Sequence, residues 1–64
     1  MPENPIVSYN IACVWALQYQ IEDSLKWLKK SVSKGFDNWN YIKNDKDLEN
    51  IRDTSYFTAL IEGK

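Results

Sequence analysis

Apolar residues dominate the first helical segment of the chain, with hardly a polar position between Tyr9 and Leu17. Asn4 is a favourable N-cap residue, and Pro5 then falls at the first helical position, where the missing N–H of proline has no cost. Apolar residues recur at helical spacing as far as Leu17. The pattern therefore predicts a first helix that begins after Asn4 and ends near Gln18.

This predicted helix carries two apolar stripes rather than one. A helix that is apolar nearly all round is normally buried on more than one side. We expect the second helix of the chain to cover the first stripe, so that the second stripe needs another cover: the tail of the chain, a neighbouring repeat, or a partner. The first stripe is Val7, Ile11, Val14 and Trp15, and the second is Tyr9, Cys13, Ala16 and Leu17.

A single apolar stripe predicts the second helix, which begins near Gln20 or Ile21. Gly35 follows the periodic segment and supplies a left-handed helix stop. Ser24 and Ser31 flank the stripe, and such small residues would let another helix approach closely. The stripe consists of Ile21, Leu25, Leu28 and Val32.

Beyond Gly35 the pattern predicts three short helices. Asp37 would cap the first, Asn44 or Asp45 the second, and Thr54 the third. Each is too short to be stable alone in water, so all three must pack on the first two helices. We therefore predict a single all-α domain over residues 1–64: an antiparallel helix–turn–helix followed by short capping helices. Their apolar residues are Trp39, Tyr41, Ile42, Leu48, Ile51, Phe57, Leu60 and Ile61.

Composition excludes several classes of function. The net charge of −1 over 64 residues argues against nucleic-acid binding, which usually requires a clear basic excess. The absence of histidine removes most general-base and zinc chemistry. One cysteine rules out an internal disulfide and fits a reducing compartment. No apolar run approaches the roughly 20 residues of a membrane helix. We expect a cytoplasmic protein without cofactors.

The helical hairpin resembles the tetratricopeptide repeat, a helix–turn–helix unit that stacks into arrays. Residues 5–36 would form one repeat. Its first-helix signature of large, small and aromatic residues matches Ile11, Ala12 and Trp15, and its second-helix signature of small, large and small residues matches Ser24, Leu28 and Ser31. The chain departs from the family pattern at three positions. Ser8 stands where a large residue is usual, Tyr19 where Gly is usual, and Phe36 where Pro is usual.

The tail extends this resemblance to nearly the whole chain. It is similar to a C-terminal repeat variant that ends an array, in which a Gly-Phe exit precedes a capping tail over residues 37–64. The resemblance implies a protein–protein interaction module whose tail caps the last exposed apolar face. In some repeats of the family the groove face grips a terminal carboxylate, but the matching positions Tyr9, Cys13 and Leu17 lack the charge for it. The tail residues that match are Asp45, Asp47, Leu48, Ile51, Arg52, Phe57 and Leu60.

Several residue clusters are candidates for functional sites. Asp45, Asp47 and Glu49 alternate like the start of a calcium loop, but Asn50 stands where such a loop needs Gly. Cys13 has no histidine or nearby cation in sequence to activate it, so we predict a small buried residue rather than a catalytic thiol. Arg52 is expected to donate hydrogen bonds to helix-end carbonyls or to Asp53.

Two features stay ambiguous from sequence. Trp27 lies off the main stripe of its helix and either packs under the tail or contacts another chain. Four lysines either keep the second helix soluble or bind an acidic surface. They are Lys26, Lys29, Lys30 and Lys34.

We therefore predict a non-catalytic protein–protein interaction module without a metal site, which contacts its partner through an apolar face of the first helix. Its partner would be a protein or peptide, a neighbouring repeat of a longer chain, or a second copy in a homodimer. The main rival is a purely structural cap of a longer array with no ligand of its own. An enzyme using tail carboxylates and a DNA-reading helix–turn–helix are weaker rivals. The predicted contact residues are Tyr9, Cys13, Ala16, Leu17 and Trp27.

Overall fold

The computed structural model describes residues 4–62, which form helices and no strand. The predicted all-α class is confirmed for these residues. The ends of the predicted domain, residues 1–3 and 63–64, lie outside the described part. The elements are α1 (Pro5–Leu17), α2 (Ile21–Ser33), α3 (Trp39–Asn44), a 3₁₀ turn (Lys46–Leu48), α4 (Glu49–Arg52) and α5 (Ser55–Ile61).

The two long helices begin and end where local sequence signals place them. The Asn4 side chain accepts a hydrogen bond from the Ile6 amide at 2.8 Å, which caps α1. Gly35 follows α2 with a φ of +108°, a left-handed conformation that glycine adopts without steric cost. The predicted boundaries of both helices are confirmed to within a residue or two.

The caps of the tail are confirmed at two of three positions. The Asp45 carboxylate accepts from the Asp47 amide at 3.0 Å, and the Thr54 hydroxyl accepts from the Phe57 amide at 3.1 Å. The predicted cap at Asp37 is wrong, because Asn38 caps α3 by accepting from the Tyr41 amide at 3.2 Å. The chain is still turning at Asp37, whose own carbonyl accepts from the Trp39 amide at 2.9 Å, so the helix begins one residue later.

Helices α1 and α2 run in opposite directions and approach each other through small residues. The Ser24 hydroxyl donates to the Ala12 carbonyl at 2.8 Å, and the Ser31 hydroxyl donates to the Pro5 carbonyl at 3.0 Å. Ser31, later in α2, thus lies opposite Pro5, earlier in α1, as antiparallel helices require. Both serines are buried, and each hydroxyl has a hydrogen-bond acceptor on the backbone of α1.

The expected packing of the first apolar stripe on α2 is wrong. Val7 and Val14 are 54% and 51% exposed, whereas Ser8, Ala12 and Ala16 are buried. Small side chains allow the backbones of two helices to come close, so the small residues of α1 occupy the inner side and the larger valines face outward. Ile11 and Trp15, the other members of that stripe, are half-buried.

The tail folds back over both long helices, as the sequence predicts. The 3₁₀ turn and α4 contact α1, while α4 and α5 contact α2. The buried core consequently lies where the helical pair meets the tail. Its largest members from these elements are Leu28, Ile42, Leu48, Ile51 and Phe57, and Leu60 packs half-buried against them.

Candidate protein-contact site

Tyr9 of α1 is held under the tail by both its ring and its hydroxyl. The ring stacks on Phe36 with centroids 4.4 Å apart and planes 2° from parallel, and Tyr41 meets it edge-on at 5.7 Å. The hydroxyl donates to the Asp45 carboxylate at 2.5 Å. Only 3% of Tyr9 is exposed, so the contact joins α1 to the tail through a desolvated group.

Asp45 is the residue at which three segments meet. Its carboxylate accepts from the Tyr9 hydroxyl and from the Cys13 thiol, whose sulfur lies 3.8 Å away, and it also caps the 3₁₀ turn. Its backbone carbonyl accepts from the Arg52 guanidinium. The expected role of Arg52 as a donor to a helix-end carbonyl is confirmed, since Asp45 follows the last residue of α3.

Burial keeps the two α1 donors of this cluster protonated. Desolvation raises the pKa of the Tyr9 hydroxyl above its ordinary value, and the hydrogen bond to Asp45 raises it further. Desolvation likewise raises the pKa of the Cys13 thiol from 9.0 to about 12, with the Asp45 and Asp47 carboxylates adding to the shift. At neutral pH both groups therefore donate hydrogen bonds.

Three side chains of the types that bind metals also meet in this cluster. Ligand atoms of Cys13, Asp45 and Asp47 lie within 4.8 Å of one another. Nucleophilic attack needs a thiolate, and the raised pKa of Cys13 opposes its formation. In this structure the Cys13 thiol and the Tyr9 hydroxyl both donate to the Asp45 carboxylate. What the arrangement provides is a hydrogen-bonded anchor between α1 and the tail.

Three of the five predicted partner-contact residues lie beneath this tail. Tyr9 and Cys13 are buried by the Asp45 cluster, and Ala16 is buried where the Asn50 amide donates to its carbonyl at 2.8 Å. In this arrangement of the chain the tail covers all three, so their role as a partner-contact face stays a prediction that would require the tail to move. The polar atoms of Asp45 and Asn50 make the tail a matched cover, which apolar patterning alone does not reveal.

The other two predicted contact residues are accessible to different degrees. Leu17 is 56% exposed. Trp27 is half-buried against the core, and the Lys30 ammonium lies 4.7 Å from the centroid of its ring. Only Leu17 remains a fully surface-facing member of the predicted set.

The apolar surface that α1 does expose lies on its opposite side, which we call the outer face. Its four members, Ile6, Val7, Val14 and Leu17, are 51–56% exposed. Residues 4–21 include no Asp, Glu, Lys or Arg, so this surface has no charged rim along its own helix. Sequence reasoning missed the outer face, although the small residues Ser8, Ala12 and Ala16 at four-residue spacing would have marked the side of α1 that packs inward.

The outward side of α2 is charged, unlike the apolar outer face of α1. Glu22, Asp23, Lys26 and Lys29 are all exposed there. Leu25 and Tyr56 line an open depression together with Glu22 and the two lysines. A charged and hydrated surface of this kind is what a helix presents to solvent. The two long helices thus differ: α1 shows apolar residues to the outside and α2 shows charges.

Comparisons with known proteins give a distant relative rather than a family. Within residues 4–62, every helix is too short or too polar to cross a membrane. The chain matches no protein-family profile and no solved structure. It is similar to an Arabidopsis thaliana protein whose name describes it as chloroplastic, with 30% identity over 60 residues. That match covers 94% of this chain but only 18% of the length of the Arabidopsis protein.

Proposed function

We propose that the chain is a non-catalytic protein-contact module that ends an array of helical repeats, and that its outer face packs on the preceding helix pair. The observation that carries this proposal is the exposure of four large apolar side chains on a helix without charges. A helix with such a surface is stable in water chiefly when further protein covers it.

The packing of the helical pair supports a tetratricopeptide-like unit. Four of the six residues that carry the resemblance, Ala12, Ser24, Leu28 and Ser31, are completely buried, and the other two, Ile11 and Trp15, are half-buried. Tyr19 stands where the family usually has Gly and adopts a φ of 59°, the left-handed conformation that glycine would favour. The turn therefore keeps the backbone shape that a glycine would give.

The asymmetry of the two long helices supports a position at the end of an array. A repeat inside an array needs apolar surfaces on both sides, because it contacts a neighbour on each. Here α1 offers one such surface, whereas the other side of the pair is covered by α4 and α5 or is charged. The match to a small part of a longer Arabidopsis protein fits a unit of a larger assembly.

The tail favours a structural cap over a peptide-binding groove. Tyr9 and Cys13 border the groove in the resemblance, and both are buried under the Asp45 cluster. A partner on that side would have to displace the tail. The expected cytoplasmic location stays a prediction, and the word chloroplastic belongs to the name of the Arabidopsis protein.

A pair of lysine substitutions tests the contact role of the outer face. Val7→Lys with Val14→Lys places charges on two side chains that are already half exposed, and Lys is a better helix former than Val. The isolated variant should therefore keep the helicity of the parent chain by circular dichroism. Burying the exposed halves of the outer face on both copies of a dimer is worth about 8 kcal/mol, and an association cost of about 4 kcal/mol leaves about 4 kcal/mol, so self-association of the parent chain should appear near 1 mM.

Molar mass from light scattering across a concentration series gives the readout. We expect the mass of the parent chain to rise with concentration and that of the Val7→Lys, Val14→Lys variant to stay monomeric. The matched control is Tyr41→Lys with Tyr56→Lys, which changes two exposed tail residues and should leave association intact. A Val7→Lys, Val14→Lys variant that associates as strongly as the parent chain, or a control that alone abolishes association, would contradict the proposal.

A further inference from the structure

A cleft of about 460 Å³ lies between the start of α1 and the connection from α2 to α3. Pro5 and Tyr9 line it on the α1 side, and Gly35, Phe36 and Tyr41 line it on the other. The volume falls within the range of about 300–1,000 Å³ that is usual for small-ligand sites. It opens beside the outer face, with which it shares Ile6, but it is built mainly from other residues.

Aromatic rings form much of the wall of this cleft. Tyr9 and Phe36 stack in parallel, and Tyr41 approaches Tyr9 at an interplanar angle of 62°. Tyr9 is fixed by its hydrogen bond to Asp45, whereas Tyr41 is 56% exposed and leaves part of its ring open. The open part of an aromatic ring such as Tyr41 attracts cations through the negative potential of its face.

The backbone donors at the two helix starts beside the cleft are already bonded. Pro5 has no N–H, the Ile6 amide donates to the Asn4 side chain, and the Tyr41 amide donates to the Asn38 side chain. An anionic ligand, which needs free donors at a helix N-terminus, therefore finds few of them here. The backbone beside the cleft therefore does not favour an anionic ligand.

The charges around the cleft also favour a cation. Among the lining residues that the structure describes, Asp37 alone carries a charge, and it is exposed. Gly35 and Phe36 follow the C-terminal end of α2, where the helix dipole is negative. A carboxylate beside aromatic faces matches a planar guanidinium, which stacks on rings and pairs with carboxylates through directed N–H groups.

We propose that this cleft binds an arginine side chain of a partner peptide, with the guanidinium against the Phe36 and Tyr41 rings and paired with the Asp37 carboxylate. The site shares only Ile6 with the outer face and would give the module a second, specific contact. An apolar side chain is the competing occupant, because the rings alone would accept it.

Three short peptides separate these occupants: acetyl-Gly-Arg-Gly-amide, its citrulline analogue and its norleucine analogue. Citrulline keeps the shape of arginine without the charge, and norleucine keeps only the apolar stem. Titrations are followed by ¹H–¹⁵N NMR on the 64-residue chain. We expect the arginine peptide to shift the amides of Gly35, Asp37 and Tyr41, and to bind about two- to fivefold more tightly than either analogue.

Substitutions place the effect in the cleft. Asp37→Asn should weaken arginine binding about two- to fivefold and leave norleucine binding unchanged. Asp53→Asn, which removes an exposed carboxylate from the end of α4, is the matched control and should change nothing. Tyr41→Leu should weaken arginine binding while the spectrum stays that of a folded chain.

Any of three results would overturn this proposal. Equal affinity for the arginine and norleucine peptides would assign the cleft to apolar side chains. Shifts that map to Val14 and Leu17 instead of Gly35 and Asp37 would assign the binding to the outer face. Absence of shifts with the arginine peptide at tens of millimolar, in a folded chain, would show that the cleft does not bind this group.

Discussion

Replacing Tyr9 with Phe removes one hydroxyl from the contact between α1 and the tail. The ring should keep its stack on Phe36, since that contact does not involve the hydroxyl. A hydrogen bond to a charged group contributes about 1.5–3 kcal/mol to stability. Asp45 is half-buried and keeps the Asp47 amide as a donor, so we take the lower part of that range, about 1.5 kcal/mol.

Urea unfolding followed by tryptophan fluorescence measures this loss. In a domain of this size, a loss of about 1.5 kcal/mol corresponds to a fall in Tm of roughly 6–12 °C. Tyr41→Phe is the matched control, because it removes the same hydroxyl from a residue that is 56% exposed, and it should cost less than about 0.5 kcal/mol.

A double-mutant cycle with Asp45→Asn isolates the pair. Asparagine is also a favourable N-cap residue, so this change removes the charge while keeping the cap of the 3₁₀ turn. We expect the two substitutions to be clearly non-additive, with a coupling energy of about 1 kcal/mol or more. Additive losses, or a Tyr9→Phe variant as stable as the parent, would refute the assignment of this hydrogen bond as an anchor of the tail.

Three further predictions concern single positions. The folded-state pKa of Cys13 is raised from 9.0 to about 12. The stability linked to its thiol is therefore complete below pH 9 and is lost as the pH rises towards 12. Cys13→Ala should make the pH–stability curve flatter in that window. Tyr19→Gly should stabilise the chain by about 0.5–1 kcal/mol, measured by urea unfolding, because Tyr19 is 73% exposed and holds a φ of 59° that glycine adopts freely. Asn38→Ala should cost about 1 kcal/mol by the same assay and Asp37→Ala less than half of that; the reverse order would return the α3 cap to Asp37.

Local signals in the sequence were sufficient to predict the helices. Asn4, Thr54 and Gly35 act on backbone groups two or three residues away, so their effect does not depend on the rest of the fold. The error at Asp37 has the same local origin. Asp37 and Asn38 are adjacent and both suit a cap, and only the turn that leaves α2 decides between them.

The site could not be predicted because it depends on contacts between distant residues. Tyr9 and Asp45 are 36 positions apart, and Ala16 and Asn50 are 34 apart. Hydropathy gives the number of apolar stripes on α1 but not which element covers each. The close approach of α1 and α2, which the small residues Ala12 and Ser24 allow, decides which side of α1 is covered by α2.

The most direct test of the proposed contact role is to map where the chain meets further protein. Amide ¹H–¹⁵N shifts of the 64-residue chain are compared between dilute and concentrated samples, on the order of 1 mM at the upper end. We expect shifts concentrated at Ile6, Val7, Val14 and Leu17, with Tyr9 and Cys13 unchanged beneath the tail. Shifts confined to the charged side of α2 around Lys26 and Lys29, with the outer face unchanged, would contradict the proposed contact role.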